Sequence, residues 1–192
     1  MQGRTCLQHN VEFALCVGCQ LSGEQDEDDS VTALNNDTIA IRRARPEDAT
    51  RIAELIMLGA ATQTMTPEEV AAEAGHPAYA EAFAEVDASP GNALFVAERA
   101  GEVVGTFQVT LIPGLAARGR KRAKIESVHV APACRGLGIG ARMMEHALAF
   151  ARENAVGLIE LTSNKSRVDA HRFYRNLGFD QSHEGFKKTL DD

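Results

Sequence analysis

Residues 125–152 constrain this chain more than any other stretch. They read IESVHV, then APACRGLGIG, then ARMMEHALAFAR. An alternating apolar segment runs into a glycine-rich turn, which opens an amphipathic helical repeat. Three glycines fall between Arg135 and Gly140. Without Cβ atoms, such a turn lets a ligand approach the backbone and adopts angles other residues avoid. The helix behind it presents unpaired N–H groups and the positive end of its dipole. That combination binds phosphate or diphosphate. The chemical expectation is a phosphorylated cofactor held by main-chain amides.

The same residues fit a second pattern. Gly136-x-Gly138-x-x-Ala141 matches a degenerate dinucleotide fingerprint, with Glu160 about twenty residues on, as that reading requires. That fingerprint ordinarily follows the first strand of a large parallel sheet. Here several strands come first. Thr38 to Ala44 alternates apolar and polar and reads as the first of them. Pro46 then opens a helix with Glu47 and Asp48 in its first turn, continued at helical spacing by Ile52, Leu55, Ile56 and Gly59. Thr66-Pro67-Glu68-Glu69 is a capping box that starts a second helix. Gly75-His76-Pro77 interrupts it, and Ala78 to Val86 resumes. Ser89 to Asn92 is a turn, and Ala93–Glu98 and Val103–Ile112 form a hairpin across Arg99–Glu102.

Lys124 to Val130 is the central strand. Strict alternation sets Glu126, Val128 and Val130 on one face and Ile125, Ser127 and His129 on the other. The helix after the turn buries Ile139, Met143, Met144, Ala147, Leu148 and Ala151. Gly157–Thr162 is a strand parallel to the central one through that crossover. Ser166 caps a last helix, Gly178 ends it at a left-handed position, and Phe179–Leu190 returns as a final strand. The order predicts an α/β fold with a mixed sheet, an α+β or three-layer α/β/α sandwich, over residues 38–192.

Charge divides the chain. Residues 1–37 hold one basic residue against seven acidic ones, and residues 38–192 hold 19 against 20. The near-neutral second part gives no footprint for nucleic acid. The acidic run Glu24–Asp29 is expected to be disordered. Before it, Cys6-x2-His9-x6-Cys16-x2-Cys19 has the look of two metal-ligand pairs, with a spacer short for a zinc module. A flexible appendage is the expectation, and no metal is assigned. No apolar run approaches a membrane span and no signal-like start is seen, so the expected home is the cytoplasm. Five cations between Arg118 and Lys124 read as a solvated loop and strand edge. Cys134 reads as a small loop residue with no base beside it.

Val128 to Gly140, V-x-V-x-P-x-x-R-G-x-G-I-G, resembles the acetyl-CoA-binding signature of the GNAT superfamily of N-acetyltransferases. Asp169-Ala170-His171-Arg172-Phe173-Tyr174, followed by Leu177-Gly178-Phe179, is similar to that superfamily's last helix and strand. The run DAHRFYRNLGF…SHEGF is further similar to aminoalkylphosphonate acetyltransferases, some of which use a divalent metal, although the helical region before residue 90 does not match them. The resemblance implies a GNAT-like fold, acetyl-CoA as co-substrate and an N-acetyltransferase activity on a primary amine of a small molecule. It implies a diphosphate on the amides of Arg135, Gly136, Leu137, Gly138, Ile139, Gly140 and Ala141. The pantetheine arm would lie along the strand edge at Val128, His129 and Val130, in the gap where the fourth and fifth strands diverge, with Asn164 contacting it.

Three chemical tasks follow from that resemblance. Glu126 is the candidate base that keeps the amine neutral, with an ion pair to a neighbouring cation as its alternative role. A backbone N–H near Val128 would stabilise the oxyanion. Tyr174 would give the departing thiolate a proton. The His129 side chain, facing away from Glu126 by parity, reads as structural. Two other readings stay open on sequence: a CoA-binding module without catalysis, and a protein or peptide acetyltransferase. The acceptor, and whether the chain works as a homodimer, are also left open.

Overall fold

The computed structural model describes residues 38–60 and 64–190. The acidic run and the Cys6, His9, Cys16, Cys19 spacing lie outside them. The elements are β1 (Ile39–Arg43), α1 (Ala49–Leu58), α2 (Pro67–Ala74), α3 (Pro77–Ala88), β2 (Asn92–Arg99), β3 (Glu102–Ile112), the single turn α4 (Ala116–Gly119), β4 (Arg122–Val130), α5 (Ile139–Glu153), β5 (Leu158–Leu161) and α6 (Val168–Asn176). The strands form one sheet in chain order. β1 to β4 are antiparallel neighbours, and β4 and β5 are parallel. An antiparallel meander ahead of the glycine turn removes the dinucleotide reading. Glu160, the acid that reading needed, is instead paired with Arg122 at 2.9 Å.

Local chemistry explains most element ends. Thr66 accepts from the Glu69 N–H while Glu69 accepts from the Thr66 N–H, so α2 opens on its capping box. His76 Nδ1 accepts from the Ala78 N–H and starts α3 after the Pro77 break. Ala100 and Gly101 are both left-handed (φ 53° and 82°), the backbone a two-residue hairpin between twisted strands requires. Gly178 is left-handed (φ 84°) just past α6, and the Phe179 N–H reaches back to the Tyr174 carbonyl.

Helices cover both faces, giving three layers. α5 buries Ile139, Met143, Met144, Ala147 and Ala151 against Phe95, Phe107, Val109 and Ile125. On the other face Ala49, Ile52 and Phe83 close over Val96. Asp48, at the entry to α1, is buried. Burial alone would push its carboxyl up, but hydrogen bonds from the Arg42 guanidinium and the Arg45 N–H outweigh it and hold the group below the usual range. The basic run is largely spent on structure: Lys121 donates to the Asn154 carbonyl, Arg122 pairs with Glu160 and Lys124 with Glu126.

Two expectations fail. Residues 180–190 form no strand. Beyond Phe179 the segment has no apolar alternation with which to bury a face, and Phe186 and Leu190 stand 92% and 85% exposed. Ser166 is not the cap of α6. Its N–H and hydroxyl both turn to Asn164 Oδ1, at 3.0 and 2.9 Å, a local side-chain turn that outcompetes the helix end, and Arg167 takes the cap position.

Candidate active site

β4 carries one residue too many. Thr106 of β3 faces His129, and Gln108 faces Glu126. Ser127 and Val128 therefore oppose Phe107 alone. Ser127 takes the extra step with a left-handed backbone, φ 52°. This is a β-bulge, and it resets the alternation. A Cβ built on Gly105 would lie 2.8 Å from Met143 Sδ, so Gly105 and its partner Val130 face α5. Val128 and Val130 pack with the α5 core. Glu126 and His129 both face the α1 side. The expected grouping of Glu126 with Val128 and Val130, and the expected separation of Glu126 from His129, are both corrected by the bulge.

His129 is wedged under the end of α1. A Cβ on Gly59 would clash with the Nδ1 edge of its imidazole ring, 2.8 Å from both Cγ and Cε1. Its Nδ1 is buried and has no hydrogen-bond partner among the described residues. Burial, with the charges of Arg167 and Arg135, pushes its pKa down to about 4, so the ring is neutral at pH 7. Glu126 accepts an ion pair from Lys124 at 2.7 Å, the alternative role the sequence allowed it.

Pairing between β4 and β5 stops at Ile125 and Leu161. β4 runs on to Val130, held by β3 alone. The two strands thus part beside the segment expected to carry a pantetheine arm. Ser163, just past β5, also holds a buried hydroxyl without a partner among the described residues.

At the end of β4 the chain enters the glycine turn. Arg135 Nε donates to the Val130 carbonyl at 3.3 Å and folds the turn's start back onto the strand. Gly136 and Gly138 are left-handed, φ 80° and 76°, and the space where their Cβ atoms would lie is open. Leu137 is exposed and Ile139 buried. α5 begins on Gly138 with no side-chain cap, and its first bond runs from the Arg142 N–H to the Gly138 carbonyl. The amides of Ile139, Gly140 and Ala141 are thereby left for another acceptor. Gly140 serves packing instead: a Cβ there would press on Phe173 Cζ at 3.3 Å. This cradle fits the diphosphate of a CoA thioester, with bare amides, a helix N-terminus and no Cβ in the way.

Tyr174 stands on α6 beside Phe173, the ring that meets Gly140. Its ring sits edge-on to Phe173 and Phe179, centroids 5.2 and 5.9 Å away. Burial pushes its phenol up, against the opposing pull of Arg167. The phenol therefore stays protonated at neutral pH, and its hydroxyl makes no hydrogen bond among the described residues. Asn164 spends Oδ1 on its turn with Ser166 and keeps its Nδ2 donor group. Sequence reasoning missed the His129 side chain and Arg167, whose charge acts on both His129 and Tyr174. Nothing in composition announces a bulge, so the parity rule hid the true face of His129, and Arg167, at the start of α6, is brought to it only by the tertiary fold. Among the described residues no three His, Cys, Asp or Glu side chains gather as metal ligands. None of the described helices is long and apolar enough to cross a membrane.

Parallel strands that part beside a bare helix N-terminus are the geometry the sequence resemblance implied. The chain belongs to the acetyltransferase (GNAT) family, whose model matches residues 60–179, and it is an N-acetyltransferase. It is 35% identical over 118 residues, 62% of this chain and 76% of the other, to an aminoalkylphosphonate N-acetyltransferase of Salmonella typhimurium. It is similar to a transcriptional regulator from Bacillus halodurans C-125, with 36% identity and a TM-score of 0.72 over 80% of this chain and all of that one. A predicted acetyltransferase of Clostridium acetobutylicum, solved with acetyl-CoA, shares the fold at 18% identity and a TM-score of 0.61, over 80% of this chain and 97% of that one.

Proposed function

We propose that this chain acetylates the primary amine of a small molecule by direct attack on acetyl-CoA. One observation carries the reading: β4 and β5 separate beyond Ile125 and Leu161, and β4 runs on into an amide cradle against which Phe173, the ring neighbour of Tyr174, is packed. The relative named for aminoalkylphosphonate acetylation supports a small acceptor. Acetyl-CoA supplies a thioester carbonyl already reactive toward a neutral amine, so much of the protein's contribution is positioning.

The main chain from Arg135 to Ala141 holds the diphosphate. The free edge of β4 at Val128, His129 and Val130 aligns the arm, and Asn164 Nδ2 is a further donor beside it. Tyr174 holds a proton at Oη for the departing sulfur. Glu126, on the α1 face of β4, takes the amine proton, directly or through water, and Lys124 keeps the carboxylate oriented. α1 to α3, over that face, shape the acceptor site.

The test is acetyl-CoA turnover against a panel of small amines and one acceptor peptide. Tyr174→Phe is expected to lower kcat by about 10²-fold and Glu126→Gln by a similar factor, in the range of general acid–base contributions. Full activity in both variants removes the assigned roles. Turnover of the peptide alone removes the small-molecule acceptor.

A further inference from the structure

β4 itself brings a primary amine to the floor of the cleft. Lys124 and Glu126 lie on the part of the strand before the bulge, opposite Thr110 and Gln108 of β3 in regular register. Ala123 and Ile125 are buried in the α5 core, so Lys124 and Glu126 both face the α1 side, the side given to the acceptor. Lys124 Nζ stands 2.7 Å from Glu126 Oε1, and the two side chains are 35% and 42% exposed. Among the described residues no second acid holds this lysine: Glu160, its neighbour across β5, is paired with Arg122. Pairing with β5 ends one residue further on, at Ile125, so the amine stands where the strands begin to part.

We propose that Lys124 is a site of self-acetylation, its Nζ taking the acceptor's place when no small amine is bound. The inference rests on the reading that acetyl-CoA lies along β4 with its diphosphate on the glycine turn. That turn follows Val130, so an arm seated there runs back past His129 to Val128. Its thioester end is then the end nearest Glu126 and Lys124. From Val128 to Glu126 is two residues, about 7 Å of strand. The stem of a lysine is flexible, and this one is partly exposed, so Nζ swings into that interval with no movement of the backbone. In the transfer the thioester C–S bond breaks and an N–C bond forms at Nζ. Of the two protons the ammonium loses, one passes through Glu126 to solvent and one ends on the departing sulfur by way of Tyr174. The product amide carries no charge. Glu126 thereby loses its cation, and the acceptor's place is filled, so the enzyme slows itself when thioester is abundant and acceptor scarce.

The test is peptide mass spectrometry of the full chain incubated with acetyl-CoA alone. Lys124 is expected to be acetylated about 10²-fold faster than the exposed Lys187 and Lys188, the worth of a positioned base, at a rate independent of protein concentration. Turnover of an amine from the panel, measured afterwards, should fall in step with the occupancy of Lys124. Lys124→Arg keeps a cation beside Glu126 and has no amine to acetylate, so the same incubation should leave its own turnover where it began. Acetylation of Lys124 no faster than that of Lys187 and Lys188, while small amines are turned over, overturns the site and leaves the proposed activity standing. So does a rate that rises with protein concentration, which marks one molecule acting on another. Failure of both self-modification and amine turnover overturns the proposed activity and this site with it.

Discussion

Substituting Gly59 by alanine tests whether the bulge in β4 turns His129 toward α1. Gly59 has a right-handed backbone, φ −93°, so alanine meets no conformational penalty there. Taken alone the change would stabilise the protein by about 0.4–1 kcal/mol through the unfolded chain. The obstacle is the imidazole. The new methyl would fall 2.8 Å from both Cγ and Cε1 of His129, well inside the roughly 3.5–4.0 Å at which carbon atoms pack. The ring is lodged under α1 and its backbone is fixed by pairing with Thr106, so it has little room to swing. Overpacking of this kind costs about 1–3 kcal/mol. The net expectation is a loss of about 1–2 kcal/mol, or a fall in Tm of roughly 2–4 °C for each kcal/mol in a chain of this size. In a His129→Ala background the clash is gone, and the same substitution should stabilise by about 0.5 kcal/mol. Urea unfolding of the four proteins measures the difference as a coupling of about 2 kcal/mol. A Gly59→Ala protein as stable as wild type, or an equal loss with and without His129, refutes the placement of that ring.

Two further outcomes follow from the site. His129 has a folded pKa of about 4 against 6.5 for the free side chain, so below pH 6.5 the unfolded chain binds the extra proton. Stability is then highest above pH 6.5 and falls as the pH drops toward 4, by up to about 3 kcal/mol. His129→Asn should flatten that slope in urea midpoints taken across the range. Gly138→Ala forces a side chain into a left-handed position (φ 76°) that is sterically open. It should cost about 1–2 kcal/mol of stability and lower CoA affinity at least tenfold, read by calorimetry. Gly101→Ala, at φ 82° in the β2–β3 hairpin, should cost the same stability and leave CoA affinity unchanged.

What the sequence made legible was whatever rests on near neighbours. The Thr66 box, the Pro77 break, the hairpin at Ala100–Gly101, the glycine turn and the Gly178 stop each depend on a few adjacent residues and stand as expected. So does the buried stripe of α5, set by a local period, except that Leu148 at its edge is only half-buried. The faces of β4 were not legible beyond Glu126. Counting by twos assumes an unbroken pleat, and Ser127 is an ordinary strand residue whose left-handed angle is imposed by pairing across to β3. The expected last strand failed for the opposite reason: residues 180–190 carried a place in a pattern but no apolar face to hold it. Lys124 reads as part of a solvated basic run, although its partner Glu126 stands only two residues away. Arg122 met the same fate because its partner Glu160 is 38 residues distant and adjacent only once β5 lies beside β4.

The extra residue at Ser127 gives β4 one place where its length can change without changing its register. Excising Ser127 would let the strand zip regularly against β3, with Val128 opposite Phe107 and His129 still opposite Thr106. The imidazole would stay beneath α1 and the valines would stay toward Met143. A deletion elsewhere in β4 has no spare residue to absorb it and would turn one end of the strand inside out. This short segment is therefore where the lip of the cleft should best tolerate a change of count.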